Sequence, residues 1–177
     1  AAQAMTNILE NLNGMAAIGV GVGLMTIVGQ CMGADRKDEA VYYIKKLSVI
    51  AEVAIIVSCL LVFALTRPVT ALGGMEPASA KMCFHMVTWI TLVKPIVWTL
   101  AFVPAYGLRA AGDVKFSMIT SCLVMWLCRF CLCVILIRFL GFGPMGVWIG
   151  MFADWTVRAV IFTWRFHSRR WLRYKVI

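Results

Sequence analysis

Charge is scarce in this sequence. Only 14% of its 177 residues are charged, 62% are apolar, and the mean hydropathy is +0.88. Soluble domains are about half apolar and about a quarter charged. So large an excess cannot be buried in a soluble core of this length, because a small domain still exposes much of its surface. A bilayer removes the difficulty, since side chains that face lipid can be apolar. The net charge of +9 invites a nucleic-acid reading. It is rejected, because the basic residues sit at the ends of apolar runs and not on one polar face.

Other features are missing too. The chain opens Ala1-Ala2-Gln3, with no initiator Met and no basic region ahead of an apolar one, so it does not read as a signal peptide. The opening reads as that of a fragment or a truncated product. No nucleophile–base pair and no phosphate loop stand out, which argues against an enzyme. Gly141, Gly143 and Gly146 match G-x-G-x-x-G, but no βαβ unit surrounds them and a dinucleotide site is not expected. The 7 cysteines are odd in number and lie in or beside apolar runs. They read as buried, reduced thiols that pack like small hydrophobes. Cys128 and Cys131 form a C-x-x-C without a second pair or a nearby His, so zinc or redox use is not expected.

What the sequence does have is long apolar runs. A spanning helix needs about 20 mostly apolar residues. Five such helices are expected, over about 2–32, 40–65, 78–106, 115–140 and 144–166. Breakers separate them: Gly33-Ala34-Asp35, Arg67-Pro68 through Gly73-Gly74 and Pro77, Ala111-Gly112-Asp113, and Gly141 through Pro144. The fold class is all-α integral membrane. Of the 17 Lys and Arg, 11 fall on one side, from Arg36 and Lys37 through Arg109 and Lys115 to Arg170 and Lys175. Arg67, Lys81 and Arg138 fall on the other side, and Lys94, Arg129 and Arg158 lie within spans. Basic residues favour the cytoplasmic side. The C-terminus is therefore expected inside, and the N-terminus and the loop near Met75 outside.

The polar residues within the spans are the candidate site. Charge at the bilayer centre is costly and marks a cavity or a partner. In the first span Gln3, Asn7, Asn11 and Gly14 recur at helical spacing with Glu10 beside them, making one polar stripe. It is either a wall of a water-filled cavity or a set of interhelical hydrogen bonds. The third span carries Lys94-Pro95 near its middle. Proline should kink the helix there, and a kink beside an ionisable residue recurs in transporters. The alternative is a lysine paired to one structural carboxylate. Glu10, beside the polar stripe, is one candidate partner; an acidic residue of a part of the protein outside this chain is another. In the fifth span Asp154 and Arg158 are four apart and read as a structural ion pair. Glu52 and Arg129 either pair or snorkel. Gly19/Gly23, Gly29/Gly33 and Gly146/Gly150 have GxxxG spacing, which points to close helix packing.

Three stretches together resemble the multidrug and toxic compound extrusion (MATE) family. They are Val28-Gly29-Gln30-Cys31-Met32-Gly33-Ala34 with Asp35 and Glu39-Ala40 after it, Leu108-Arg109-Ala110-Ala111-Gly112-Asp113, and Gly146-Val147-Trp148-Ile149-Gly150-Met151. Their order and spacing cover nearly the whole chain. The resemblance implies the last five helices of a twelve-helix transporter, residues 1–177 being part of its C-terminal lobe, with the seventh helix and the N-terminal lobe absent from this chain. It implies a plasma-membrane protein, such as one of a bacterial inner membrane. It also implies efflux of small organic, often cationic, solutes in exchange for Na⁺ or H⁺, with no cofactor. One branch of the family has a cation-binding carboxylate on the tenth helix. No Asp or Glu lies between Met82 and Gly112 here, where the corresponding region reads Val97-Trp98-Thr99, so that site does not carry over. The alternatives are a lipid-linked saccharide flippase of the same superfamily and a non-transporting remnant or assembly partner.

Overall fold

A computed structural model of the chain describes residues 2–74, 76–139, 141 and 143–173. Met75, Leu140, Phe142 and Lys175 lie outside the described residues. Among those described, the chain forms five long helices and no strand: α1 (Ala2–Gly33), α2 (Lys37–Leu72), α3 (Pro77–Ala110), α4 (Val114–Arg138) and α5 (Pro144–His167). All five are long and apolar enough to cross a bilayer. The shortest, α5, has 24 residues. At about 1.5 Å per residue it covers about 36 Å, more than the roughly 30 Å of hydrocarbon.

The helices outrun their expected ends. α2 was expected to stop near Leu65, before Arg67-Pro68, but continues through Pro68 to Leu72. The third helix continues to Ala110, past its expected end near Tyr106, and carries Pro95 and Pro104 within it. Each proline removes one donor. Unwinding inside lipid would leave many more backbone groups unpaired, each costing several kcal/mol, so the helix persists. Within α4 the residues Met125–Cys131 are π-helical. Such a widening inside an α-helix is frequent at functional sites, and no periodicity in the sequence announces it.

The turns have a shared construction. After α1, Asp35 adopts φ 55°, the Arg36 N–H reaches Cys31 O at 2.8 Å, and the Asp35 N–H reaches Met32 O at 3.2 Å. After α3, Gly112 takes φ 91°, with Asp113 N–H to Leu108 O at 3.0 Å and Gly112 N–H to Arg109 O at 3.1 Å. Both are Schellman ends, which satisfy the terminal carbonyls of a helix in a left-handed turn. In the first, an Asp and not the nearby Gly33 supplies the left-handed residue, which Asp tolerates better than most. α5 ends differently. Arg169 has φ 50°, and Arg170–Arg173 turn back as a 3₁₀ segment. Trp171 is thereby fully buried, stacked 5.8 Å from Phe166, its indole N–H donating to Phe166 O.

α1, α3 and α5 run one way and α2 and α4 the other. α1 buries Leu9, Ala17, Leu24 and Val28 along one stripe, and α2 buries Ala40, Ile44, Ala51, Ile55 and Cys59. Close approach is concentrated at three glycines. A side chain at Gly21 would meet the Tyr106 ring, one at Gly107 would meet Ile44, and one at Gly150 would meet Cys133 Sγ and Cys128 O. Of the glycines with GxxxG spacing, Gly150 makes such an approach, whereas Gly19, Gly23, Gly29 and Gly33 have nothing within 4 Å among the described residues. The thiols also divide. Cys31, Cys59, Cys83 and Cys133 are buried, whereas Cys122 and Cys131 are exposed on α4, and all are free. The outer surface is apolar, with Val53, Leu60, Leu61 and Ile96 well exposed, as lipid contact requires.

Gly150→Ala should destabilise the detergent-solubilised protein by about 1–3 kcal/mol, the usual cost of overpacking. Gly29→Ala should be neutral or slightly stabilising, because alanine is the better helix former. Paired thermal unfolding measurements check this. Equal effects at both positions would contradict the packing described.

Candidate functional site: a buried ion pair beside an aromatic cavity

Glu10 and Gly14 are four residues apart on α1 and share a face. Lys94 and Trp98 are four apart on α3, at mid-helix. Where these faces meet, Lys94 Nζ donates to Glu10 Oε1 at 2.7 Å and to the Glu10 carbonyl at 3.1 Å. It also lies 5.6 Å from the centre of the Trp98 ring. Gly14 faces it, and a Cβ there would stand in ordinary contact with Nζ at 3.5 Å. Lys94 is fully buried, while the Glu10 side chain keeps 18% of its surface exposed. An ammonium in the middle of a membrane helix is tolerated when it is paired. Here a carboxylate, a carbonyl and an aromatic face share that task.

The exposed side of Glu10 opens into a cavity of about 270 Å³. Glu10, Asn11 and Gly14 form its α1 wall, and Trp98, Phe102 and Tyr106 its α3 wall. Met151 and Trp155 of α5 close the far side, and Arg129 reaches in from the π-helical part of α4. The Arg129 guanidinium donates to Met151 Sδ at 3.3 Å, and no carboxylate is within ion-pair distance of it among the described residues. Aromatic faces attract cations, more strongly when desolvated. A wall of three aromatic rings and one carboxylate can therefore hold a flat organic cation, and Arg129 adds a charge that such a solute must avoid.

The sequence-selected residues do not all converge. Gln3 lies toward the start of α1 and accepts the Trp148 indole N–H at 3.0 Å, so it serves interhelical bonding. Asn7 and Asn11 are exposed on the same side of the helix, and only Asn11 lines the cavity. Pro95 is half-buried and lines no part of it. Asp154 and Arg158 are joined at 2.8 Å, and Arg158 also donates to Ser121 O at 2.9 Å, tying α5 to α4. Glu52 is half-buried with no ion pair among the described residues. Two arrangements were not foreseen. Asn13 and Thr6 reach Cys59 Sγ at 3.0 Å and Cys83 Sγ at 3.3 Å on the buried side of α1. Their signal was the spacing 6, 9, 13, 17, a second stripe beside the polar one. Asp113, buried in the α3–α4 turn, holds Arg165 at 2.7 Å, with that guanidinium 4.5 Å from the Phe116 ring centre.

The family model described as MatE matches residues 1–135. The chain belongs to the MatE family. It is 22% identical over 169 residues to a "Probable multidrug resistance protein NorM" of Thermotoga maritima, covering 96% of this chain and 36% of that protein. An "Uncharacterized transporter YisQ" of Bacillus subtilis is 39% identical over 67 residues, covering 38% of this chain and 15% of the relative. A "Probable multidrug resistance protein NorM" of Rhodopseudomonas palustris is 37% identical over 61 residues, 34% of this chain and 13% of the relative. The chain thus spans about a third of the Thermotoga protein's length, and the matched stretches span less of the other two. No solved structure gives a significant match. Membership in this family, with five spanning helices, places the chain in a membrane.

Removing one member of the buried pair should cost about 3–5 kcal/mol, because the other charge is left uncompensated, whereas removing both at once should cost little. Lys94→Met should therefore lower thermal stability, and Glu10→Gln with Lys94→Met should recover most of it. A double variant that is the sum of the two singles would show that the groups do not interact.

Proposed function

We propose that the chain forms part of a secondary active efflux antiporter that exports organic, often cationic, solutes in exchange for Na⁺ or H⁺. Family membership supports the transport class. The observation that carries the site is the Lys94–Glu10 pair, sealed on one side and open to an aromatic cavity on the other. In this reading the five helices are the last five of twelve. A second lobe of the same polypeptide closes the exposed side of α1, where Asn7 and Asn11 stand. The turn at Asp35 and the tail at Arg170 face the cytoplasm, in keeping with the basic residues gathered at that end.

The mechanism follows from the pair. Lys94 neutralises Glu10 and keeps the carboxylate from trapping a cationic solute. Protonation of Glu10, or capture of its carboxylate by the incoming cation, weakens the hold on Lys94. α1 and α3 are then released from a contact that favours one packing. A ligand shifts such an equilibrium only as far as its affinities for the two states differ, and the aromatic wall supplies that difference when it closes on a solute.

The test is gradient-driven dye efflux from vesicles that hold the complete polypeptide containing residues 1–177, expressed per molecule of inserted protein at two imposed pH gradients. Lys94→Ala should impair coupled efflux severalfold, and Lys81→Ala, at the opposite end of α3 from Arg109, should leave it intact. Parent-like efflux by Lys94→Ala at both gradients would make the lysine structural. Absence of efflux by the parent itself would favour a non-transporting remnant.

A further inference from the structure

A second, separate pocket lies at the end of the bundle that carries the α1–α2 turn. It is a groove of about 270 Å³ between α2, α3 and α5. Its lining is mostly apolar, with Val49, Leu100, Pro104 and Phe166, and includes two ionisable groups, Lys45 and His167, which lie toward the helix ends on α2 and α5. We propose that this groove holds an anionic phospholipid, with the phosphate at Lys45 and one acyl chain along Val49, Leu100 and Pro104. The inference is independent of the transport reading and of the cavity around Glu10.

Three features select this occupant. First, the charge of Lys45 is available. Among the described residues Arg36 is paired with Glu39 and Lys37 with Asp35, whereas Lys45 has no carboxylate within 4 Å. His167 Nδ1 donates to the Thr163 carbonyl at 2.9 Å, so that edge of the ring is committed and Lys45 is the phosphate's principal donor. Second, the charge is reinforced. Arg169 and Arg170 follow directly after the end of α5 and are exposed, held at this level by the buried Trp171. Each basic residue near an anionic leaflet contributes attraction of the same order. Third, the groove opens sideways onto the bilayer-facing surface. Val49 is 64% exposed, Leu100 46%, and Ile96 one turn further along α3 71%. An acyl chain can thus lie in the groove without leaving hydrocarbon. An inorganic phosphate would gain only the contact with Lys45, and a peptide would have to displace lipid to reach the apolar lining.

The experiment places the complete polypeptide in bilayer discs of phosphatidylcholine mixed with phosphatidylglycerol, then extracts it in mild detergent and counts retained lipids by native mass spectrometry. The parent should retain phosphatidylglycerol in preference to phosphatidylcholine. Lys45→Ala should lower that retention about fivefold. Leu100→Trp, which fills the groove and leaves the charge, should lower it too. Lys81→Ala should not, and thermal unfolding of each variant checks that the fold is kept. Should one variant fail to fold, the other carries the test. The proposal is overturned if a folded Lys45→Ala protein retains as much phosphatidylglycerol as the parent, if the two lipids are retained alike, or if inorganic phosphate or glycerol phosphate displaces the lipid at comparable concentration, which would mark a headgroup-only site.

Discussion

An ammonium ion in the middle of a membrane helix is the constraint around which this bundle is arranged. Lys94 is fully buried at the midpoint of α3. Lipid offers it no solvation, so the protein must. The requirement fixes the neighbour helix, because Glu10 has to bring both its carboxylate and its carbonyl within reach. It also draws α1 and α3 together at this level, where Gly14 faces Nζ. A turn or two further on, Gly21 accepts the face of Tyr106, and the two helices stay close. The aromatic wall of the cavity is a by-product of the same approach, since Trp98, Phe102 and Tyr106 follow Lys94 along one face of α3.

The other two buried ion pairs do different work. Arg158 and Asp154 sit on one helix and reach across to the Ser121 carbonyl, so they hold α4 against α5. Arg165 and Asp113 join the end of α5 to the turn after α3. In that turn the Asp113 backbone completes the Schellman end of α3 and begins α4, while its carboxylate is committed to Arg165. The stretch Leu108 to Asp113 that resembles the family's loop is thus a helix end, a helix start and an ion-pair partner in six residues. The stretch ending at Asp35 has the same geometry without the buried pair. Both places show why these short sequences are informative: a left-handed residue, the carbonyls it satisfies and the next helix start must fall in fixed order.

The spans were legible because the apolar runs are long and the breakers sit between them. Their ends were less so. Proline at 68 reads as a break in water, yet in lipid the unpaired backbone of a broken helix costs more than the proline itself. The π-helical part of α4 has no sequence signature at all. Of the site, Glu10 could be named as one candidate partner of Lys94 because it sits beside the polar stripe of the first span, the other candidate being an acidic residue outside this chain. Asn7 and Asn11 are exposed on one side of α1, while Thr6 and Asn13 lie buried on the adjoining face, where their spacing reads as ordinary packing and does not announce cysteine partners. The Asp113–Arg165 pair joins residues far apart in sequence, and spacing rules on one helix cannot reach it. GxxxG spacing marked the close approach at Gly150, but it gives a face of a helix and not which neighbour that face meets.

The account rests on the Glu10 and Asn11 side of α1 bordering water, not lipid. Thiol accessibility tests this most directly. In the complete polypeptide, in membranes and in a background without native cysteines, Asn11→Cys should react with a membrane-impermeant maleimide. Leu61→Cys, which is 59% exposed on the outer face of α2, should not. Reaction at 11 and none at 61 is the predicted result. An Asn11→Cys protein as unreactive as Leu61→Cys would place the polar stripe against lipid or against a sealed helix contact, and the cavity beside the Lys94–Glu10 pair would not be a path for solute.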